Sequence, residues 1–145
     1  MSKTRAGRIL LTFAVGAFAV ANILADWNKT HIFNPTWPPH ARFHAADMSV
    51  IVWSAAAIAI WLLWRRSTEP EVGIKVAVLI SVALWSPFLY VTLLVPGTSL
   101  WVGGTPPAAA PRIGGMIIEP QVVLAILFLP LTALGYRLAR SSAAR

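Results

Sequence analysis

FHAADMSVIVWSAAAIAIWLLW, residues 43–64, decides what kind of chain this is. Asp47 is the only residue in it with a formal charge, and the rest is dominated by aliphatic, small and aromatic side chains. At a rise of about 1.5 Å per residue, about 20 apolar residues match the roughly 30 Å hydrocarbon core of a bilayer. Three other segments pass the same test. Ile9–Ala25 is apolar except for Thr12 and Asn22, Val76–Val95 carries Pro87 near its middle, and Met116–Leu138 has Pro120 in its first turn and Pro130 inside. Interior prolines survive in membrane helices where neighbours satisfy the freed carbonyl, so each predicts a kink. The expected fold is an all-α, four-transmembrane-helix bundle. It forms a single membrane domain over residues 1–145, with outer loops at 26–42 and 96–115.

Composition agrees. The chain of 145 residues is 57% hydrophobic and 12% charged, the latter about half the usual share. Its mean hydropathy is +0.69. Without cysteine, disulfides, thiolate metal sites and Cys nucleophiles are all excluded. The net charge of +7 records topology rather than nucleic-acid binding. Lys3, Arg5, Arg8, Arg65, Arg66, Lys75, Arg137, Arg140 and Arg145 fall on one side of the four spans, against Lys29, Arg42 and Arg112 on the other. The positive-inside rule puts both termini in the cytoplasm, for a multi-pass protein of the cytoplasmic membrane if the source is bacterial. A rival reading takes the first run, with its basic start and the small residues Ala19–Val20–Ala21, as a signal peptide. Its apolar run is longer than a usual signal core, which favours a retained helix.

Between the first two spans lies HIFNPTWPPHARFHAAD, residues 31–47, which holds all three histidines. Three prolines and Asn34 keep its first half extended or turned. Pro39 suits the first position of a helix, where a missing N–H costs nothing. His40, His44 and Asp47 then follow at i, i+4 and i+7 on one stripe that Ile51, Ser54 and Ile58 continue. An unpaired charge inside a bilayer costs about 2.5 kcal/mol or more. Asp47 is therefore expected to face the bundle. Asn22 and Asp26 end the first span at the same level, Glu119 and Gln121 open the fourth, and Tyr90 and Thr92 lie near the end of the third. These groups outline an outward-facing pocket. Asp26 is expected to pair with Lys29 or Arg42, and Glu119 also suits a helix first turn. The Gly/Pro/Ala-rich stretch Pro96–Gly115 reads as a lid, and AVGAFAVA (14–21) and SAAAIAI (54–60) as close-packing seams.

Three classes of function fit such a pocket. An enzyme could work on a lipid-like or isoprenoid molecule by acid/base chemistry, with His31, His40, His44, Asp47 and Glu119 as catalytic candidates and Asn34, Trp37, Asp26 and Tyr90 lining the substrate pocket. Alternatively His31, His40 and His44, with Asp47 or Glu119, could hold a divalent metal or a haem. The H-x-x-x-H spacing lacks the Glu of H-E-x-x-H, because Ala41 follows His40. The third class is a non-enzymatic receptor or transporter subunit. Expected partners are membrane lipids, a hydrophobic small molecule and a second copy in a homo-oligomer, with no nucleic acid. In the first two classes His44→Ala or Asp47→Ala abolishes function and Glu69→Ala does not.

One string carries a resemblance. Thr30, His31, Phe33, Asn34, Pro35, Trp37, Pro39, His40, Ala41, Phe43 and His44 follow a pattern T-H-x-F-N-P-x-W-x-P-H-A-x-F-H. It resembles the shared motif of a family of small four-helix membrane proteins of bacteria and fungi. The resemblance implies the four-helix fold and the importance of this segment, and it brings no assigned activity.

Overall fold

A computed structural model describes residues 2–140. It contains four long helices: α1 (Lys3–Asp26), α2 (Pro39–Trp64), α3 (Pro70–Trp85) and α5 (Pro120–Arg140). A 3-10 turn (Ser86–Leu89) and a short α4 (Val91–Leu94) follow α3. Strands β1 (Arg112–Ile113) and β2 (Met116–Ile117) form a small antiparallel hairpin. Four helices, counting Pro70–Leu89 as one, are long and apolar enough to cross a membrane.

Helix starts follow local chemistry. The Ser2 side chain accepts from Arg5 N–H and caps α1, while α2 and α3 open on Pro39 and Pro70, whose fixed φ suits a first turn. The fourth long helix begins at Pro120 rather than Met116, because residues 112–117 are occupied by the hairpin. Its turn is Gly114–Gly115, both at positive φ (56° and 84°), as a two-residue hairpin of this hand requires. The two interior prolines behave differently. Pro130 stays inside a continuous α5, whereas the α-helical part of α3 ends at Trp85 and Pro87 sits in the tighter 3-10 turn. The chain there breaks its helix instead of kinking it.

Helices α1 and α3 each touch the other three long helices, so these two form the middle of the bundle. The contacts use small residues. A methyl group at Gly7 would lie 2.6 Å from the Gly135 carbonyl oxygen, and one at Gly73 would lie 2.8 Å from the Leu62 carbonyl carbon. Both positions need glycine for backbone to approach backbone. Leu11, Val15, Ala56, Ala59, Leu63, Ile74, Ala77 and Ala139 form the core of that half. Further along, Trp85 is 1% exposed, stacks on Phe128 (4.4 Å, 6°), meets Phe18 edge-on and donates through Nε1 to the Ala14 carbonyl (2.9 Å). The buried hydroxyls answer each other: Ser81 Oγ and Thr132 Oγ1 are 2.7 Å apart, and Thr132 also donates to the Phe128 carbonyl.

Two contacts set the register of α1 against α2. Trp64 Nε1 donates to Thr12 Oγ1, and the Trp27 ring meets Trp53 at 5.2 Å. The end of α1 therefore lies beside Trp53, and roughly 20 Å of α2, from Pro39 onward, runs on past it. Lys3, Arg5, Arg8, Arg65, Arg66, Lys75, Arg137 and Arg140 all belong to the opposite end; Arg145 lies outside the described residues.

Candidate functional site

Where α1 ends, a cavity of about 330 Å³ opens between α1, the Trp85–Phe88 corner, the start of α5 and the loop over residues 99–102. Its apolar wall includes Phe18, Trp85, Phe88 and Leu124. Its polar side consists of Asn22, Asp26, His31, Ser99 and Gln121, with neither Lys nor Arg among its described lining residues. Asn22 and Asp26 are four apart on α1, so they share a face, and Asn22 Nδ2 donates to Asp26 Oδ2. Gln121 Nε2 donates to the Leu100 carbonyl (3.0 Å), which pins the loop over the cavity. Asn22 Oδ1 and Gln121 Oε1 are buried without a hydrogen-bond partner among the described residues.

His31 reaches the cavity from a tight turn after α1, in which Ile32 N–H bonds the Asp26 carbonyl and Phe33 N–H the Asn28 carbonyl. Its tautomer follows from its neighbours. Asn28 Nδ2 donates to the Leu24 and Ala25 carbonyls, and Asn28 Oδ1 accepts from Thr30 N–H. The amide is thereby oriented, so the Thr30 hydroxyl must donate its one proton to Asn28 Oδ1 (2.5 Å). Thr30 Oγ1 then has only acceptor capacity left for His31 Nδ1 at 2.8 Å, which places the ring proton on Nδ1. Nε2 keeps its lone pair and faces Asp26 Oδ1 at 3.9 Å, too far for a hydrogen bond and close enough to share a donor or a proton. Trp37 meets the ring edge-on at 5.6 Å.

One family matches this chain, over residues 10–144. The chain belongs to DUF6640, a family of unknown function. No curated protein and no solved structure matches it.

In this DUF6640 protein, four of the five catalytic candidates, His40, His44, Asp47 and Glu119, stand apart from the cavity. His40, His44 and Asp47 are exposed, as are Ile51, Ser54 and Ile58 along the same stripe. The expectation that Asp47 faces the bundle is corrected. Helix α2 turns inward the stripe Ala45, Ser49, Val52, Ala56, Ala59 and Leu63, of which all but Ala45 are buried. Close approach of small residues, spaced 4, 3, 4, 3 and 4 apart, sets the face. His40 and His44 satisfy one another, Nε2 to Nε2 at 3.0 Å. Glu119 is half-buried just ahead of α5, where its carbonyl accepts from Val123 N–H. From that segment the cavity takes Gln121 instead.

The remaining candidates divide by what they touch. Asp26 faces His31 at 3.9 Å and bonds Asn22, and among the described residues it forms no ion pair with Lys29 or Arg42. Asn34 builds the turn, accepting from Thr36 N–H and Oγ1, and Tyr90 is exposed beside α4. As for a metal, no three His, Asp or Glu side chains converge among the described residues. The three histidines split into His31 beside Asp26 and the His40–His44 pair. The sequence marks Asn22 and Gln121 as polar groups at the right level without separating them from the rest. Nothing in the low-complexity loop singles out Ser99, Leu100 or Val102.

Proposed function

We propose that this chain is an integral membrane protein with cytoplasmic termini, that its end cavity binds a lipid-like small molecule, and that it moves a proton on that molecule through His31 and Asp26. Insertion is supported by the outer surface: Phe13, Leu24, Ile58, Leu79, Leu93 and Ile126 are all more than half exposed, on every long helix or its continuation. So much contiguous apolar surface suits lipid and not water. The clustering of basic residues at one end supports the orientation. Because the chain has no cysteine, single-cysteine variants report cleanly on it. In intact cells Thr98→Cys should react with an impermeant maleimide, and Ser67→Cys only after permeabilisation. The reverse pattern overturns the orientation.

The observation that carries the chemical half is a histidine with an oriented, bare Nε2 beside a carboxyl group at the rim of an apolar cavity. In such surroundings an imidazole can take a proton from a bound ligand and Asp26 can hold the resulting positive charge. The reaction class is proton abstraction and return, as in an isomerisation. The bond broken is a ligand C–H whose proton passes to Nε2, and the hydrogen returned comes from solvent. The test uses the full chain in vesicles of a total polar lipid extract from the expression host, in D₂O. Deuterium at carbon in one lipid class, above a protein-free control, is the expected result. Equal labelling with and without protein removes the catalytic reading and leaves a binding protein.

A further inference from the structure

Away from the cavity, one pair of side chains is arranged to share a ligand. His40 and His44 stand one turn apart at the outer end of α2, with Nε2 to Nε2 at 3.0 Å and the rings at 78°. Phe43 flanks both, nearly parallel to His40 (12°) and edge-on to His44 (5.6 Å). Both residues are exposed, and their bond to each other is the only side-chain hydrogen bond either makes among the described residues. For one Nε2 to donate to the other, one ring carries its proton on Nε2 and its partner on Nδ1. Moving that one proton to Nδ1 leaves two lone pairs side by side. The surroundings are aqueous: His44 lies about 30 Å along α2 from Trp64, the full depth of a bilayer's hydrocarbon core, and α2 outruns α1 here.

We propose that His40 and His44 form a reversible site for a divalent transition-metal ion of the class that favours tetragonal nitrogen and oxygen coordination, Ni²⁺ or Cu²⁺, and that the ion staples the first turns of α2. Metal–imidazole bonds of about 2.05 Å across the 3.0 Å gap make an angle of about 95° at the ion. That suits two neighbouring positions of a square-planar or octahedral ion, whereas a tetrahedral ion asks for about 3.3 Å. No third His, Asp or Glu converges among the described residues, so water completes the shell and the ion stays exchangeable. Hard cations such as Mg²⁺, which prefer oxygen ligands, gain little from two imidazoles. The helix dipole opposes a cation near an N-terminus, but water screens that effect and it fades within a turn. Asp47, one turn further along the same exposed stripe, offsets part of it. The staple answers a local need, because α2 opens at Pro39 with no side-chain cap. An ion held by both rings ties its first two turns together. The site is separate from the cavity and independent of the function proposed for it.

The test uses the purified full chain in detergent, prepared without a polyhistidine tag, with NiCl₂ as the probe. Calorimetry should show one Ni²⁺ per chain, Cu²⁺ binding more tightly and Mg²⁺ not binding. His40→Gln and His44→Gln should each weaken Ni²⁺ by about tenfold or more, since each leaves a single imidazole. Both positions are exposed, so the variants should melt with the wild type in the absence of metal. Amide exchange gives a second readout. At a Ni²⁺ concentration about a hundredfold above Kd, exchange through fraying of residues 42–48 should slow about a hundredfold in the wild type and not in either variant. If both variants bind Ni²⁺ as tightly as the wild type, the ion sits elsewhere and the site is overturned. Loss in only one variant marks a lone imidazole and overturns it too, as does no binding at about 1 mM Ni²⁺. Binding that leaves exchange over residues 42–48 unchanged overturns the staple.

Discussion

Trp85→Ala should lower the stability of the purified protein by about 3 kcal/mol, near the low end of the range for removing a buried Trp. At the entropy usual for about 150 residues that is a fall in melting temperature of roughly 10 °C, read by thermal unfolding in detergent. The low end applies because the detergent of that measurement, unlike water, is a good solvent for the ring, so the transfer part of the usual cost largely drops out. What remains is local and large. Trp85 joins α3 to α5 through its stack on Phe128 and to α1 through Phe18 and the Ala14 carbonyl. Truncation therefore opens a void where three helices meet. Trp85→Phe keeps an aromatic plane and loses the indole hydrogen bond, so it should cost about 1 kcal/mol. Trp61, 60% exposed, provides the contrast: Trp61→Ala should stay within about 0.5 kcal/mol of wild type. Equal losses at Trp61 and Trp85 would mean that the bundle is not packed around Trp85.

Helices were the easy part to read. Four runs of apolar residues leave little choice, and Pro39 marks one start; the other two long helices that open on a proline start at Pro70 and Pro120, where the apolar runs alone point to Val76 and Met116. Which way each helix faces is a different matter. The inward stripe of α2, from Ala45 to Leu63, is nearly all small or aliphatic, and so is much of the outward one, so hydropathy cannot separate the two. The polar groups mislead for a related reason. Asp47 is costly at mid-membrane, which argues for an inward face, but α2 outruns α1 and Asp47 belongs to the overrun. Helix lengths relative to their neighbours decide that, and they depend on the Trp27–Trp53 and Trp64–Thr12 contacts between distant residues. The same holds at Pro87. A proline in an apolar run is compatible with a kink or a break, and the break follows only once the 3-10 turn packs Phe88 against Phe18 and Trp85. The Asn22–Asp26 spacing of four on one helix is visible in the sequence, but Lys29 and Arg42 compete as partners for Asp26, and only the folded helix end selects Asn22.

His31→Gln should reduce lipid deuteration by a factor of about 10²–10⁴, the usual share of a positioned base. Glutamine keeps polarity and approximate size, so a loss of that order reports the missing lone pair rather than a collapsed turn. Asp26→Asn should lose a comparable factor, because nothing else on the described cavity lining carries negative charge to balance a protonated His31. His44→Gln and Asp47→Asn should leave the rate within a factor of about two, although the sequence by itself ranks both above Asp26. Their exposed positions on α2 explain the difference. A lesser effect is expected upstream of the ring. Thr30→Val removes the acceptor for His31 Nδ1–H, a bond of about 1 kcal/mol, so the tautomer with the proton on Nε2 should rise severalfold in population. The ¹⁵N shifts of the imidazole read that change directly, and activity should fall in proportion to the Nε2 lone pairs lost. If His44→Gln or Asp47→Asn silences the protein while His31→Gln does not, the working groups lie on the outer face of α2 and the cavity is a packing defect. If His31→Gln alone is silent and Thr30→Val leaves the tautomer unchanged, the cavity stands as the site, but something other than Thr30 and Asn28 orients its base.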